Sequence, residues 1–261
     1  MLRIISVYNI KGGVAKTTTA VNLAYLASSE GARTLLWDLD PQGASTYTLR
    51  CEPNVEGGAR ELVDGEKPLW ALTRETDYRK LDLIPSDFSY RHMDTMIDEY
   101  KEATKHLLRL MRPLRDEYDY LIIDCPPGMT LVSENIVRAS DAIVTPILPS
   151  PFSIQMLNTL MHFIEEKNWD DVSILPFFSM VDRRKNLHKQ VTESLRDDYP
   201  MILQTEIPYS SEIEQMSLRR APIPSYSPKS RAGRAFTALW AEIQREMLGE
   251  SEFDSYQRIA V

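Results

Sequence analysis

Residues 9–18 combine glycines, lysines and hydroxyl side chains in a pattern that could bind a phosphate group. The segment reads Asn-Ile-Lys-Gly-Gly-Val-Ala-Lys-Thr-Thr and lies between an apolar run and a stretch of helical character. Glycines let backbone N–H groups close around an anion, and the start of a helix adds the positive end of its dipole. In such loops a lysine reaches the β- and γ-phosphates and a threonine hydroxyl ligates Mg²⁺. Lys16 and Thr17 suit those two roles, and residues 9–18 are called the phosphate loop below.

Three aspartates follow two later apolar runs and could serve a metal ion or a water molecule. Asp38 and Asp40 lie in the segment Asp-Leu-Asp-Pro-Gln-Gly, and Asp124 begins the segment Asp-Cys-Pro-Pro-Gly. Mg²⁺ prefers oxygen ligands and keeps several of its waters, so a carboxylate at a strand end could hold those waters or an attacking water. A lone aspartate in such a place more often forms a turn. Three of them around a phosphate loop favour a functional interpretation.

Short apolar runs alternate with amphipathic stretches, and this alternation predicts the elements that must position those residues. Several runs are continuously apolar, as is typical of strands buried on both faces of a parallel sheet. Strands are predicted at Leu2–Tyr8, Thr34–Trp37, Leu81–Ile84, Tyr120–Ile123, Ala142–Ile147, Val172–Phe177 and Ile202–Ile207. Helices are predicted at Thr17–Ser29, Lys101–Leu114, Ser133–Ala139, Ser153–Lys167, Asn186–Arg196 and Arg231–Met247. Cys51–Asp77 is less regular and is predicted to be a loop with a short helix.

The order of these elements indicates a doubly wound α/β fold, with a mostly parallel sheet, helices on both faces and right-handed crossovers. In such folds ligands bind at the carboxyl ends of the strands, where the phosphate loop and the aspartates fall. The 261 residues are expected to form a single domain, 1–261. A chain of this length can bury a core large enough to fold without disulfides or metals.

The two cysteines and the hydropathy pattern indicate the cellular compartment in which the protein is expected. Cys51 and Cys125 cannot form a disulfide framework, so reduced thiols are expected. No apolar run approaches the roughly 18–20 residues of a membrane helix. The first residues lack the length and cleavage site of a signal peptide. These features predict a cytoplasmic protein.

Charge is unevenly distributed along the chain. The total of 30 Lys+Arg against 38 Asp+Glu gives a net charge of −8, which argues against a surface that is positive throughout. The segment Arg219–Arg234, called the basic segment below, contains five cations and no acid. These cations are Arg219, Arg220, Lys229, Arg231 and Arg234. They could contact DNA phosphates in a salt-dependent way, or they could form a solvated basic face.

Together, the loop Lys-Gly-Gly-x-x-Lys-Thr and the two aspartate segments resemble the ParA/MinD family of P-loop ATPases, which have a deviant Walker A loop. The strict P-loop pattern fails in this chain, because its glycines would fall at Ile10 and Ala15. The resemblance covers nearly the whole chain and implies ATP and Mg²⁺ as ligands. It also implies that Lys11 contacts phosphates bound by the other subunit of an ATP-sandwich homodimer.

The resemblance implies a role for each matching residue. The catalytic residues would be Lys11, Lys16 and Asp40, with Asp40 orienting or activating the hydrolytic water. The metal shell would be held by Thr17, Asp38 and Asp124. The nucleotide would be bound by Lys11, Gly12, Gly13, Val14, Ala15, Lys16, Thr17 and Thr18, with adenine contacts at Met180, Asp182 or Pro208.

Ala15 departs from the family pattern, which usually has glycine there. A Cβ at this position lies near the phosphates and disfavours a positive φ. Either the loop tolerates alanine with weaker or slower nucleotide handling, or the chain is catalytically impaired. The intact remaining positions favour tolerance. An impaired chain would be a nucleotide-dependent binding module that hydrolyses slowly or not at all.

The family uses ATP for switching, with a partner stimulating hydrolysis. The resemblance therefore implies a ParB-like or cargo-linked adaptor, and a cargo that is either DNA or a protein body positioned over the nucleoid. The basic segment favours non-specific DNA binding and a nucleoid-associated location. The acids Glu212 and Glu214 nearby imply a displaced or weaker DNA patch. Site-specific operator binding is not expected, because no N-terminal helix-turn-helix precedes the first strand.

The sequence argues against two other classes of protein. A MinD-like spatial regulator would act on a membrane rather than DNA, but the tail from Gly249 carries Glu250, Glu252 and Asp254 against Arg258. That composition is wrong for an anionic lipid surface, so no membrane partner is expected. A relative of the nitrogenase iron protein would need cluster-ligating cysteines, which this chain does not supply at the required spacing.

Overall fold

The computed structural model describes residues 1–169 and 171–249. Within them, seven strands form one sheet in the order β3-β4-β2-β5-β1-β6-β7. The strands are β1 Arg3–Val7, β2 Thr34–Asp38, β3 Arg74–Glu75, β4 Leu81–Ile84, β5 Tyr120–Asp124, β6 Ala142–Ile147 and β7 Ser173–Phe178. All neighbours are parallel except β3, which pairs antiparallel with β4 at one edge. The predicted doubly wound α/β fold is confirmed.

Helices cover both faces of the sheet. They are α1 Lys16–Ser29, α2 Ala44–Thr48, α3 Gly58–Asp64, α4 Met93–Asp98, α5 His106–Met111, α6 Leu131–Ala139, α7 Pro151–Glu166, α8 Asn186–Asp198, α9 Ser211–Arg219, α10 Ile223–Tyr226 and α11 Arg231–Leu248. Short 3₁₀ turns join several of them. The helix expected within Cys51–Asp77 is present as α3.

The apolar strands supply two cores because successive side chains point to opposite faces of the sheet. Trp37 and Ile123 pack on one face with helices α3 to α6. Leu36 and Ile122 pack on the other face with α1 and α11, where Trp240 is buried. The continuous apolar runs of β2 and β5 therefore reflect burial on both sides.

The segment Ile202–Ile207, predicted to be a strand, is an irregular loop. Its apolar ends are buried beside β7, and the N–H groups of Leu203 and Ile207 donate to β7 carbonyls. The N–H groups of Gln204 and Thr205 instead donate to the carboxylate of Glu242 on α11, at 2.6 and 2.9 Å. That carboxylate replaces the ladder hydrogen bonds that a strand would need. Only an isolated bridge between Val181 and Pro208 follows.

Two further predictions were partly wrong. The helix expected over Lys101–Leu114 is shortened to α5, with a 3₁₀ turn on each side. Pro113 explains the second break, since proline removes a backbone donor and clashes with the preceding turn. The strand β3 was not predicted, because two exposed residues at a sheet edge carry no hydrophobic pattern.

The membrane-related prediction rests mostly on residues outside the described ranges. The acidic tail lies beyond Gly249, so its composition is known but its structure is not described. Among the described helices, none is both long and apolar enough to cross a bilayer.

Candidate active site at the carboxyl edge of the sheet

The phosphate loop connects β1 to α1 and is held by hydrogen bonds to two other parts of the chain. Asn9 donates to the carbonyl of Pro146 at 2.8 Å and accepts from the N–H of Lys11 at 2.8 Å. The Ser179 hydroxyl donates to the carbonyl of Val14 at 3.0 Å. The loop is therefore fixed against the ends of β6 and β7 before any ligand arrives.

The last turn of the loop has a left-handed backbone. Gly13 has φ 71°, and Ala15, which caps α1, has φ 73° and ψ 32°. Glycine adopts this conformation freely, whereas an alanine there costs about 1–2 kcal/mol. Ala15 therefore places a Cβ in a backbone conformation that favours glycine.

Lys16 is the buried cation of the loop. Its side chain folds back so that Nζ donates to the carbonyl of Lys11 at 3.0 Å, and the residue is only 7% exposed. Burial lowers the pKa of this ammonium, while the negative charges of Asp124 and Asp40 oppose that effect. The cation thus rests on a loop carbonyl that phosphate oxygens could replace as its partner.

Asp38 and Asp124, called the aspartate pair below, end adjacent strands in register. Both are fully buried. One oxygen of Asp38 accepts from the N–H and the hydroxyl of Thr46, each at 2.7 Å. One oxygen of Asp124 accepts from the Ser45 hydroxyl at 2.8 Å, and the nearby Thr17 side chain acts to lower the pKa of this carboxyl. Each carboxylate is therefore held through one side only.

The other oxygen of each carboxylate has no hydrogen-bond partner among the described residues. Burial raises the pKa of both carboxyls, and the neighbouring charge of Asp124 raises that of Asp38 further. Two adjacent buried acids of this kind call for a cation. The described residues contain no cluster of three His, Cys, Asp or Glu side chains that could hold a metal alone. This donor set fits Mg²⁺, which takes one or two carboxylates and completes its shell with water and phosphate oxygens.

Asp40 lies at the mouth of the same site. It is partly buried, and its carboxylate accepts from the N–H of Gln42 at 3.0 Å. Its carbonyl accepts from the N–H of Gly43 at 2.9 Å and from the Ser86 hydroxyl at 2.5 Å. The Asp-Pro-Gln-Gly turn is thereby fixed, and one carboxylate oxygen of Asp40 stays available to a water molecule.

The Lys11 side chain extends toward the start of α7. Its ammonium lies 5.5 Å from the ring centre of Phe152, which is 54% exposed at the start of α7. Gly12 and Gly13 beside it are exposed. This outward position suits a cation that acts on a group outside its own chain.

Comparison with known proteins agrees with this geometry. The AAA_31 family model, described as an AAA domain, matches residues 2–173. The chain is 32% identical to the chromosome partitioning protein ParA of Myxococcus xanthus over 93% of this chain and 88% of that protein. It is 31% identical to the sporulation initiation inhibitor protein Soj of Bacillus subtilis over 93% and 98%. This chain belongs to the ParA/MinD family of P-loop ATPases.

A solved structure shows the same fold as this ParA-family chain. Cobyrinic acid a,c-diamide synthase from Mycobacterium smegmatis, with bound ADP and magnesium, superposes with a TM-score of 0.82. The identity is 24%, and the match covers 97% of this chain and 98% of that one. At this identity the likeness concerns the fold.

The residues suggested for adenine contacts lie together at the end of β7. Met180 has a positive φ of 55°, and Val181 bridges to Pro208. Asp182 accepts from Arg184 at 2.9 Å, and this hydrogen bond lowers the pKa of Asp182 to about 2. The adenine contacts stay a prediction.

The basic segment of this ParA-family chain is divided between two places. Arg219 and Arg220 end α9 beside α2, and Arg220 lines a cleft of about 520 Å³ together with Gln42 and Tyr47. Arg231 lines a different cleft, with Asp182 and Tyr209. The other two cations, Lys229 and Arg234, are exposed at the start of α11. The structure thus places Arg220 and Arg231 in different clefts, and the binding of the five cations to DNA stays a prediction.

Sequence reasoning missed the hydroxyl groups that hold the aspartate pair. Ser45 and Thr46 follow the Asp-Pro-Gln-Gly turn after one alanine, and Ser86 follows β4. The N–H of Ser86 donates to the Thr46 hydroxyl at 2.8 Å, which orients that hydroxyl toward Asp38. A pair of hydroxyl residues one position beyond an acidic motif was the available signal.

Proposed function

We propose that this protein is an ATP-dependent switch that positions or segregates an intracellular cargo. In this proposal it binds ATP and Mg²⁺, forms a homodimer around the nucleotide, and hydrolyses ATP slowly until an adaptor stimulates it. The carrying observation is the aspartate pair, whose two unsatisfied buried oxygens lie beside Lys16 and the phosphate loop. A structure that buries two acids near a single lysine is suited to receiving a metal cation together with a phosphate ligand.

Each residue of the site then has a specific task. Asp38, Asp124 and Thr17 would hold Mg²⁺, directly or through its waters, as the donor set allows. Bound Mg²⁺ would neutralise charge on the phosphates. Lys16 would leave the Lys11 carbonyl for phosphate oxygens, and residues 12–18 would supply backbone N–H groups. Asp40 would orient or activate the attacking water. The magnesium and ADP bound by the Mycobacterium smegmatis relative support this assignment.

The proposal also covers the dimer interface and the surface that would bind DNA. Lys11 points out of its own site toward an exposed aromatic ring, which supports a role across a twofold interface. A cation delivered only on dimerisation would act like an arginine finger. The five cations of the basic segment, doubled in the dimer, would bind nucleoid DNA non-specifically. The cargo would be DNA or a protein body, recruited through a ParB-like or cargo-linked adaptor in the cytoplasm.

Steady-state ATP hydrolysis with Mg²⁺, and with EDTA in its place, tests the enzymatic part. The Lys16→Ala variant should lose about 10²–10³-fold or more of the activity, because a buried cation facing the transferring phosphoryl group is removed. The matched control is Lys105→Ala, which removes an exposed lysine paired with Glu102. Zero turnover of the unmodified chain, alone and with DNA, would contradict the proposed enzyme.

A second candidate is a nucleotide-dependent binding module with little hydrolysis. The left-handed backbone of Ala15 favours it, because the added methyl group lies in the turn that encloses the phosphates. Single-turnover hydrolysis and ATP binding measured on the same sample separate the two. Tight binding with no product over many hours supports the module.

A further inference from the structure

Helix α2 connects the aspartate pair to the basic segment through three consecutive residues. Ser45 and Thr46 hydrogen-bond Asp124 and Asp38, as described above. The next residue, Tyr47, gives its carbonyl to Arg220 Nε at 2.8 Å. The Arg220 guanidinium also lies 4.4 Å from the centre of the Tyr47 ring. A helix of five residues moves as one unit, so a displacement at residues 45 and 46 must reach residue 47.

A second arginine makes the reciprocal contact. Arg50, just beyond the end of α2, donates to the carbonyl of Arg220 at 3.1 Å and to that of Arg219 at 3.2 Å. Helix C-termini present unsatisfied carbonyls with partial negative charge, and a guanidinium is a favourable partner for them. Arg50 and Arg220, called the arginine clasp below, thus each cap the helix end of the other.

The backbone conformation of Arg50 and Arg220 indicates that their surroundings hold both residues in place. Both arginines have a left-handed backbone, with φ 63° for Arg50 and φ 51° for Arg220. Non-glycine residues adopt this conformation only when their surroundings impose it. Arg50 is further oriented by an ion pair with Asp77 at 3.3 Å. The two helix ends are therefore held in a defined relative position.

We propose that the arginine clasp couples ligand binding at the aspartate pair to the position of Arg219 and Arg220. A cation bound by the free oxygens of the two carboxylates would shift both carboxylates together with the hydrogen-bonded Ser45 and Thr46, and α2 would carry that shift to the clasp. Coupling is reciprocal, so a phosphate backbone that takes Arg220 from the Tyr47 carbonyl would act back on the site. This inference rests on the proposed function, because it needs ATP and Mg²⁺ as the ligands.

A second path between the same regions must be separated from the clasp. Asn22 on α1 donates to Met216 Sδ at 3.3 Å and accepts from the N–H of Ile223 at 2.8 Å. Since α1 begins at the phosphate loop, it could transmit nucleotide binding without α2. The experiment must therefore break the clasp and leave Asn22 intact.

Hydrogen–deuterium exchange of the full chain tests the proposal, with and without ATPγS and Mg²⁺. In the unmodified chain the ligand should change exchange in residues 9–18, and change it about fivefold or more in residues 211–226, a size typical of coupled sites. Arg50→Gln should keep the first response and lose the second. Arg50→Lys should lose most of the second, because a lysine cannot reproduce the two-carbonyl fork.

The control is Arg60→Gln, which removes an exposed arginine held by Asp64 and Glu99 far from the clasp. It should keep both responses. If residues 9–18 do not respond in the unmodified chain, ligand binding fails and the proposed function falls together with this inference. If they respond and residues 211–226 do not, only the coupling is wrong. If Arg50→Gln keeps both responses, the α1 path carries the signal and the clasp is excluded.

Discussion

The aspartate pair and the basic segment are both groups of like charge, but the fold arranges them in opposite ways. Asp38 and Asp124 lie far apart in sequence and become neighbours, because parallel strands bring their carboxyl ends to one edge. Arg220 and Arg231 lie close in sequence but line separate clefts. Proximity along the chain therefore says little about proximity in the structure.

The aspartate pair and the basic segment also differ in the energetic cost of their charges. The aspartate pair is fully buried and lacks partners for two oxygens, so its charge is costly and calls for a ligand. The basic segment is largely exposed, and its cations are satisfied by water, aromatic rings and helix carbonyls at little cost. A costly buried charge identifies a site more strongly than a favourable exposed one.

The largest expected effect is the loss of ATP turnover when Asp40, at the mouth of the buried region, is replaced. Asp40→Ala should lower ATP turnover by about 10²–10⁴-fold, the range found for loss of a positioned acid–base group. ATP binding should change little, because the phosphate loop and Lys16 stay intact. Turnover and nucleotide affinity measured on the same variant check this. Full turnover in Asp40→Ala would remove the water-activating role from this residue.

The next largest effect is the loss of DNA binding when cations of the divided basic segment are replaced. The double variant Arg219→Glu and Arg220→Glu should weaken ATP-dependent DNA binding by about 10–100-fold and lower its salt dependence, because phosphate contacts are lost. Arg231→Glu with Arg234→Glu should have a smaller effect, since Arg231 faces the cleft with Asp182. Binding isotherms across a salt series compare the two. Equal losses would indicate one continuous DNA surface.

Much of the fold followed from local pattern. The run Tyr120–Ile123 predicted β5 to within one residue, because a strand buried on both faces is apolar throughout. The segment Ile202–Ile207 is apolar only at its two ends and is a loop, because Glu242 on a distant helix accepts hydrogen bonds from two of its N–H groups. Such a contact depends on tertiary structure and leaves no local signal.

The candidate site was predictable to a similar extent. The adjacency of Asp38 and Asp124 followed from the strand ends, whereas the hydroxyl bonds of Ser45 and Thr46 depend on how α2 docks. The separation of Arg220 from Arg231 could not be predicted, because it depends on the carbonyls of α2 and on the cleft beside Asp182. Residue types predicted the chemistry, and helix packing decided which charges meet.

A smaller effect concerns stability and pH. Because burial and Asp124 raise the pKa of Asp38, the folded protein keeps a proton that the unfolded chain loses above about pH 4. The free energy of unfolding of the ligand-free protein should therefore fall as pH rises from that value through the neutral range. Asp38→Asn should reduce this fall and gain about 1 kcal/mol at pH 8.

The control for that prediction has the opposite sign. A hydrogen bond from Arg33 lowers the pKa of Asp119, so its charged form stabilises the fold at neutral pH. Asp119→Asn should lose stability at neutral pH, and the loss should disappear as pH falls through the acidic range. Denaturant titrations of both variants at about pH 3, 6 and 8 test the pair. A fall with pH that is unchanged in Asp38→Asn would mean that the aspartate pair does not cause it.

The smallest effect is expected at Ala15, where the two alternatives for the phosphate loop meet. Ala15→Gly relieves a left-handed alanine that costs about 1–2 kcal/mol, but glycine regains about 0.4–1 kcal/mol of freedom in the unfolded chain. The net gain in stability should be about 0.5 kcal/mol. Lys80, with φ 63° and remote from the site, provides the control through Lys80→Gly measured against Lys80→Ala.

Nucleotide handling by Ala15→Gly then decides between tolerance and impairment. If the fixed loop already accommodates the methyl group, ATP affinity and turnover should change by less than about tenfold, in line with a strain of this size. A gain of several orders of magnitude would show that the methyl group blocks the phosphates, and the chain would be a binding module. Because Lys80 shares the strain but not the site, a gain confined to Ala15→Gly would come from the phosphate contact and not from stability.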